Sequence, residues 1–133
     1  MRLYHGSPKL FETIIPQKAR GSSVYQNQEA IFLTREFTRA VLYAIGKNLK
    51  GITGFCVRRD KLIILGDYKL ADGYVYEFDI SEKELVKGEN TDEYSINKEI
   101  TPVKTYKILA KDYIDYIIRV DTKEELFLYI ETT

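Results

Sequence analysis

A chain of 133 residues, 44% hydrophobic and 30% charged, has the balance of a globular protein and is long enough for one domain with a proper core. Its twenty basic and twenty acidic side chains cancel, which excludes a global field that would recruit nucleic acid or an anionic membrane. One cysteine and one histidine exclude an internal disulfide and a His/Cys zinc centre, and no apolar run nears the roughly 20 residues of a membrane span. The first residues also lack the basic-then-apolar layout of a signal peptide. The expectation is a single cytoplasmic domain, residues 1–133, with no metal and no membrane contact.

In chain order, residues 2–5 read as a strand, and Gly6-Ser7-Pro8 as the turn that ends it. Residues 9–29 are polar and interrupted by Pro16 and Gly21-Ser22-Ser23, so they read as an extended loop with a short strand at most. AIFLT (30–34) reads as a short buried strand. Residues 35–48 read as a helix, with Phe37, Ala40, Val41, Tyr43 or Ala44, and Ile45 at helical spacing and Thr34 as its N-cap. From residue 52 the period changes to two. ITGFCVRR and KLIILGDYKL form a predicted hairpin turning at Asp60-Lys61, and GYVYEFDI (73–80) a further strand. Ser81 starts a predicted helical turn over 81–88, residues 91–109 read as one broken strand with Pro102 at a bulge or edge, and the tail as a short helix, a strand and an amphipathic segment. This is an α+β domain dominated by strands.

Few residues stand out chemically. There is no phosphate-cradling glycine motif and no nucleophile elbow. Cys56 in the apolar run GFCVR reads as a buried, inert thiol. Arg58-Arg59 could contact phosphates, although two arginines at a hairpin turn are ordinarily surface charge. The sole histidine, His5, ends the first predicted strand, where a scaffold can aim a polar side chain at a ligand. The ordinary alternative is a structural imidazole.

Three pieces in order carry more than any one of them: LYHGS ending the first strand, AIFLT leading into a helix that carries Tyr43, and a late DEYS entering a strand. This combination resembles the ADP-ribosyltransferase superfamily, which includes the poly(ADP-ribose) polymerases and the rifampin-modifying transferases. The family's His-Gly falls on His5-Gly6. Its second-motif tyrosine falls on Phe32, its second aromatic eleven residues later on Tyr43, and its third-motif glutamate on Glu93, with Glu99 second.

The resemblance implies a split, mostly antiparallel sheet with a few short helices, clasping NAD as co-substrate. It further implies that His5, Phe32 and Tyr43 line one pocket. His5 would hydrogen-bond a ribose hydroxyl, the Gly6 backbone would meet the nicotinamide carboxamide, and Phe32 and Tyr43 would flank the nicotinamide ring. Glu93 would stabilise positive charge on the ribose. The implied activity is mono-ADP-ribosyl transfer, or NAD hydrolysis. The acceptor would be a protein, a nucleic acid or a small molecule, and a partner protein is compatible. Phe32 departs from the family's tyrosine: ring stacking survives the change and the hydroxyl does not. The alternative is therefore an inactive NAD- or ADP-ribose-binding module, or an interaction module of the same fold.

Overall fold

The computed structural model describes residues 1–18, 29–48, 50–58, 60–69, 71–88 and 92–131. The first strand, β1 (Arg2–Ser7), runs two residues further than its sequence suggests, through Gly6 and Ser7. After it come β2 (Gln17–Lys18), β3 (Glu29–Thr34), α1 (Phe37–Asn48), β4 (Lys50–Arg58), β5 (Lys61–Lys69) and β6 (Gly73–Asp79). A 3-10 turn (Glu82–Glu84), β7 (Val86–Lys87), β8 (Glu93–Ile96) and β9 (Lys104–Ile108) lead to a second 3-10 segment (Ala110–Tyr116), β10 (Ile117–Val120) and α2 (Lys123–Glu131).

The strands form two sheets. The larger has the order β7-β8-β3-β1-β6-β9, every pair antiparallel, with β2 added to β3. The smaller has the order β10-β5-β4, its β10–β5 pair parallel and its β4–β5 pair the antiparallel hairpin that alternation predicts. The stretch read as one broken strand over 91–109 is two strands in different places. Its first part, β8, pairs with β3, and its second, β9, pairs with β6 at the sheet edge. Pro102, which cannot donate to a ladder, lies in the connection between them.

Alternation along the strands sorts the core into layers. Leu3, Ile31, Leu33, Tyr76, Phe78, Tyr94 and Ile96 pack together on one face of the large sheet, covered by Phe11, Ile14, Ile80 and Ile100. On the opposite face α1 buries Ala40, Val41, Leu42 and Ile45 against Val75 of the large sheet and Val57, Leu62 and Ile64 of the small one. The small sheet's other face, with Cys56, Ile63, Leu65 and Val120, packs on Leu126 of α2. Helix α1 thus lies between the sheets, because its apolar stripe is wide enough to serve both. Thr34 Oγ1 accepts the Glu36 N–H at 3.1 Å just ahead of the helix, close to the capping role its sequence position suggests. Phe37, in the first turn of α1, meets Tyr4 and Tyr106 edge-on at centroid distances of 5.4 and 5.1 Å.

Tyr76 ties the loop after β1 to the sheet. Its buried hydroxyl donates to the Lys9 carbonyl at 2.6 Å and accepts the Phe11 N–H at 2.7 Å. Tyr76→Phe leaves both backbone groups without that partner, so a loss of about 2 kcal/mol is expected in urea denaturation at neutral pH. Burial pushes this phenol above its ordinary 10.0, against the Phe11 hydrogen bond, which lowers it. A raised acid contributes its stability below pH 10 and loses it as the pH climbs through the raised value. The wild type therefore sheds its advantage over the phenylalanine variant only in alkaline solution.

Candidate functional site

The site is built around a break in the large sheet. On one side β1 makes a complete ladder with β6, six register pairs from Arg2–Asp79 to Ser7–Tyr74. On the other side its register with β3 consists of the single pair Tyr4–Thr34. Beyond that pair the His5 ring enters the seam, its Nδ1 2.8 Å from the carbonyl oxygen of Phe32. A carbonyl only accepts, so Nδ1 is the donor of this hydrogen bond. The ring is thereby held in one orientation at a partly buried position.

At Gly6 the strand meets α1. A Cβ built there would lie 1.9 Å from the carbonyl oxygen of Ala40 and 2.9 Å from the Ala44 nitrogen, so the strand rests directly on the backbone of α1. That contact is by itself a sufficient reason for the missing side chain at position 6. A Cβ built at Gly73, opposite Ile108 on β9, would likewise come within 3.0 Å of Ala44 Cβ.

The other expected residues gather on the α1 side of the seam. Phe32 pairs with Ser95 and Thr34 with Glu93 across β3 and β8, which puts Phe32 and Glu93 on one face as diagonal neighbours, about 7–8 Å apart at Cα. Glu93 thus stands at the strand entry, as its sequence context suggests. Glu99 is exposed and lies beyond the end of β8, before the isolated bridge that pairs Ile100 with Ile14.

Tyr43 projects from α1 to the rim of the core between the sheets. Burial raises its phenol above the ordinary 10.0; Arg39 and Arg58 draw it down, and Glu93 and Cys56 push it up. Its hydroxyl therefore feels both the large sheet, through Glu93, and β4 of the small sheet, through Arg58 and Cys56. The pleat sets His5 differently. Tyr4 packs with the α1 core, and the Gly6 Cβ position also points at α1, so the intervening His5 starts from the opposite face and reaches Phe32 only by turning its ring into the seam. Phe32, Tyr43 and Glu93 share one side, and His5 stands at the break between the two.

Cys56 is buried, and burial raises its thiol above the ordinary 9.0 while Arg58 opposes the shift, so at neutral pH it is protonated and unreactive. Arg59 lies outside the described residues. Arg58 does not: it ends β4 half-buried, a position that the surface reading of the arginine pair missed. The only hint in the sequence is a cation closing an otherwise alternating apolar strand.

Among the described residues no helix is long and apolar enough to cross a membrane, and no three His, Cys, Asp or Glu side chains group as metal ligands. No protein-family model, curated protein or solved structure matches the chain. The fold is thus a mixed α/β arrangement with mostly antiparallel sheets, and the site defines itself by its own geometry.

Proposed function

We propose that the chain binds NAD at the β1–β3 seam and breaks its nicotinamide–ribose bond, passing ADP-ribose to an acceptor or to water. The observation that carries this reading is the His5 ring held on the Phe32 carbonyl where the two strands part, next to the face that presents Phe32 and Glu93. The seam holds the His5 ring at a partly buried position where a ligand rich in hydroxyls can meet it. Nε2 of His5 accepts from a ribose hydroxyl. The rings of Phe32 and Tyr43 supply aromatic faces for nicotinamide, each worth about 1 kcal/mol.

The chemistry needs little more than position and charge. The bond from ribose C1′ to the nicotinamide nitrogen breaks, and its electron pair returns to the ring, which leaves neutral. The acceptor's oxygen or nitrogen, or water, forms the new bond to C1′ and releases its proton to solvent. In between, the ribose carries positive charge, and the Glu93 carboxylate stabilises it. The test is incubation with NAD labelled on the adenylate side, scoring nicotinamide release and label transfer separately. Transfer identifies a transferase and release alone a glycohydrolase. Binding with neither supports the second reading, an NAD- or ADP-ribose-binding module, which Phe32 favours because phenylalanine brings no hydroxyl to the site. Absence of any NAD binding overturns both.

A further inference from the structure

The chain leaves β1 at Ser7 and turns back across the face that carries Tyr76. Phe11 and Ile14 pack on the core of that face before β2 pairs with β3 at Ala30. In the strand order β1 lies between β3 and β6, so a segment tied to Tyr76 of β6 and continuing to β3 must cross β1. It crosses on the face from which the His5 side chain rises, since His5 and Tyr76 are register partners in neighbouring antiparallel strands. Residues 8–16 are therefore a strap laid over the histidine end of the seam.

The strap is fastened at two places. Near its start the Tyr76 hydroxyl holds the Lys9 carbonyl at 2.6 Å and the Phe11 N–H at 2.7 Å, and Ser7 Oγ accepts the Lys9 N–H at 3.2 Å. Farther on, Ile14 and Ile100 exchange backbone hydrogen bonds of 2.8 and 2.9 Å. Beside that bridge the Thr13 and Thr101 hydroxyl oxygens are 3.4 Å apart. Leu10 and Ile15 are 65% and 62% exposed, so little apolar area holds the strap down. A segment with so few buried contacts opens locally at lower cost than the whole fold.

We infer that this strap is a gate over His5 and that Tyr76 is its latch, a positioning residue that sets how often the imidazole meets a ligand from solution. The gate concerns the histidine alone; that the ligand admitted is NAD rests on the reading above. Tyr76 suits a latch because its ring is anchored in the sheet core while its hydroxyl reaches the strap. Removing that one oxygen releases the strap and leaves the ring's packing in place.

The test reads the chain's single histidine directly. Diethyl pyrocarbonate, a small reagent that acylates imidazole, is applied without NAD, and modification of His5 is followed by mass spectrometry. Tyr76→Phe should react about tenfold or more faster than wild type, because its closed state has lost two hydrogen bonds. Ile63→Val, in the core between the small sheet and α2, lowers stability without touching the latch and should react within about twofold of wild type. The double variant Thr13→Cys/Thr101→Cys, once oxidised, should react about tenfold or more slower, and reduction should restore the rate. The NAD association rate, measured separately, should follow the same order.

Equal His5 modification in wild type and Tyr76→Phe overturns the gate, and so does an oxidised cysteine pair that reacts like its reduced form. Ile63→Val as fast as Tyr76→Phe also overturns it, because the reagent then enters through global unfolding. If Tyr76→Phe does not fold, the oxidised and reduced cysteine pair decides alone. Ungated modification with NAD still bound removes the strap and leaves the NAD reading standing. Gated modification with no NAD binding to any form, Tyr76→Phe included, keeps the strap and removes the NAD reading.

Discussion

Replacing Glu93 with glutamine is expected to slow nicotinamide release by about 100-fold or more while leaving NAD affinity within a few-fold. The carboxylate is well placed for so selective a loss. Glu93 opens β8 opposite Thr34, its carbonyl accepts the Gly88 N–H at 2.7 Å, and its side chain passes so near Gly88 that a Cβ there would come within 2.7 Å of Cγ. Strand pairing and the β7–β8 connection together hold it on the face shared with Phe32. In the proposed NAD reading, binding draws on the His5 nitrogen and two aromatic faces, which glutamine leaves in place. Bond cleavage in that reading draws on the negative charge, because the ribose is cationic only in the transition state. Single-turnover release against a separate NAD titration divides the two effects. Equal activity in Glu93→Gln, with Glu99→Gln inactive, would move the acid to the exposed segment after β8.

Gly6→Ala is expected to be a severely damaging substitution, costing about 3 kcal/mol or more and, at physiological temperature, much of the folded population. The new Cβ would stand 1.9 Å from Ala40 O, a helix carbonyl that cannot swing aside as a side-chain tip can. Either α1 lifts from the sheet, opening the core that holds Val41 and Val75, or β1 slides and breaks its ladder with β6. Gly88→Ala is the control. There the close atoms belong to the flexible Glu93 side chain, so a small stability change is expected, with whatever activity loss follows from moving that carboxylate. Urea denaturation of the two variants side by side reads the difference. A Gly6→Ala protein as stable as Gly88→Ala would mean that β1 does not rest on α1 as described.

Local pattern carried those parts of the fold whose partners are near in sequence. Phe55 and Val57 alternate with Cys56 because one face of the small sheet meets α1 and the other α2, and this period of two was visible in the residues alone. Helix α1 was visible for the same reason, its apolar stripe being buried on both sides. Pairings between distant segments left no local trace. β10 joins β5 in parallel, with the 47 residues between Lys69 and Ile117 giving no sign of it in the periodicity of either. Likewise β8 and β9 look like one interrupted strand until their partners, β3 and β6, are known.

The candidate site divides in the same way. His5, Phe32, Tyr43 and Glu93 could be singled out by residue type and order. That Phe32 and Glu93 are diagonal neighbours depends on the β3–β8 register, and the His5 bond to a backbone carbonyl depends on β1 leaving β3. Gly6 was legible as a position needing no side chain, but the reason is a helix carbonyl far along the chain. Arg58 was legible only as one of two charges at a turn, since its burial arises from elements outside its own hairpin.

The central claim, that the seam at His5 is where NAD binds, can be tested on one ring, because the chain contains a single histidine. Long-range ¹⁵N–¹H spectra of the imidazole should place the proton on Nδ1 in the protein alone, as the bond to Phe32 O requires. Titration with NAD up to about 1 mM, the upper range of ordinary substrate affinities, should move the Nε2 resonance in the direction of an accepted hydrogen bond while Nδ1 stays protonated. An Nε2 signal that remains unchanged through the titration would contradict the account, whatever else NAD did to the protein.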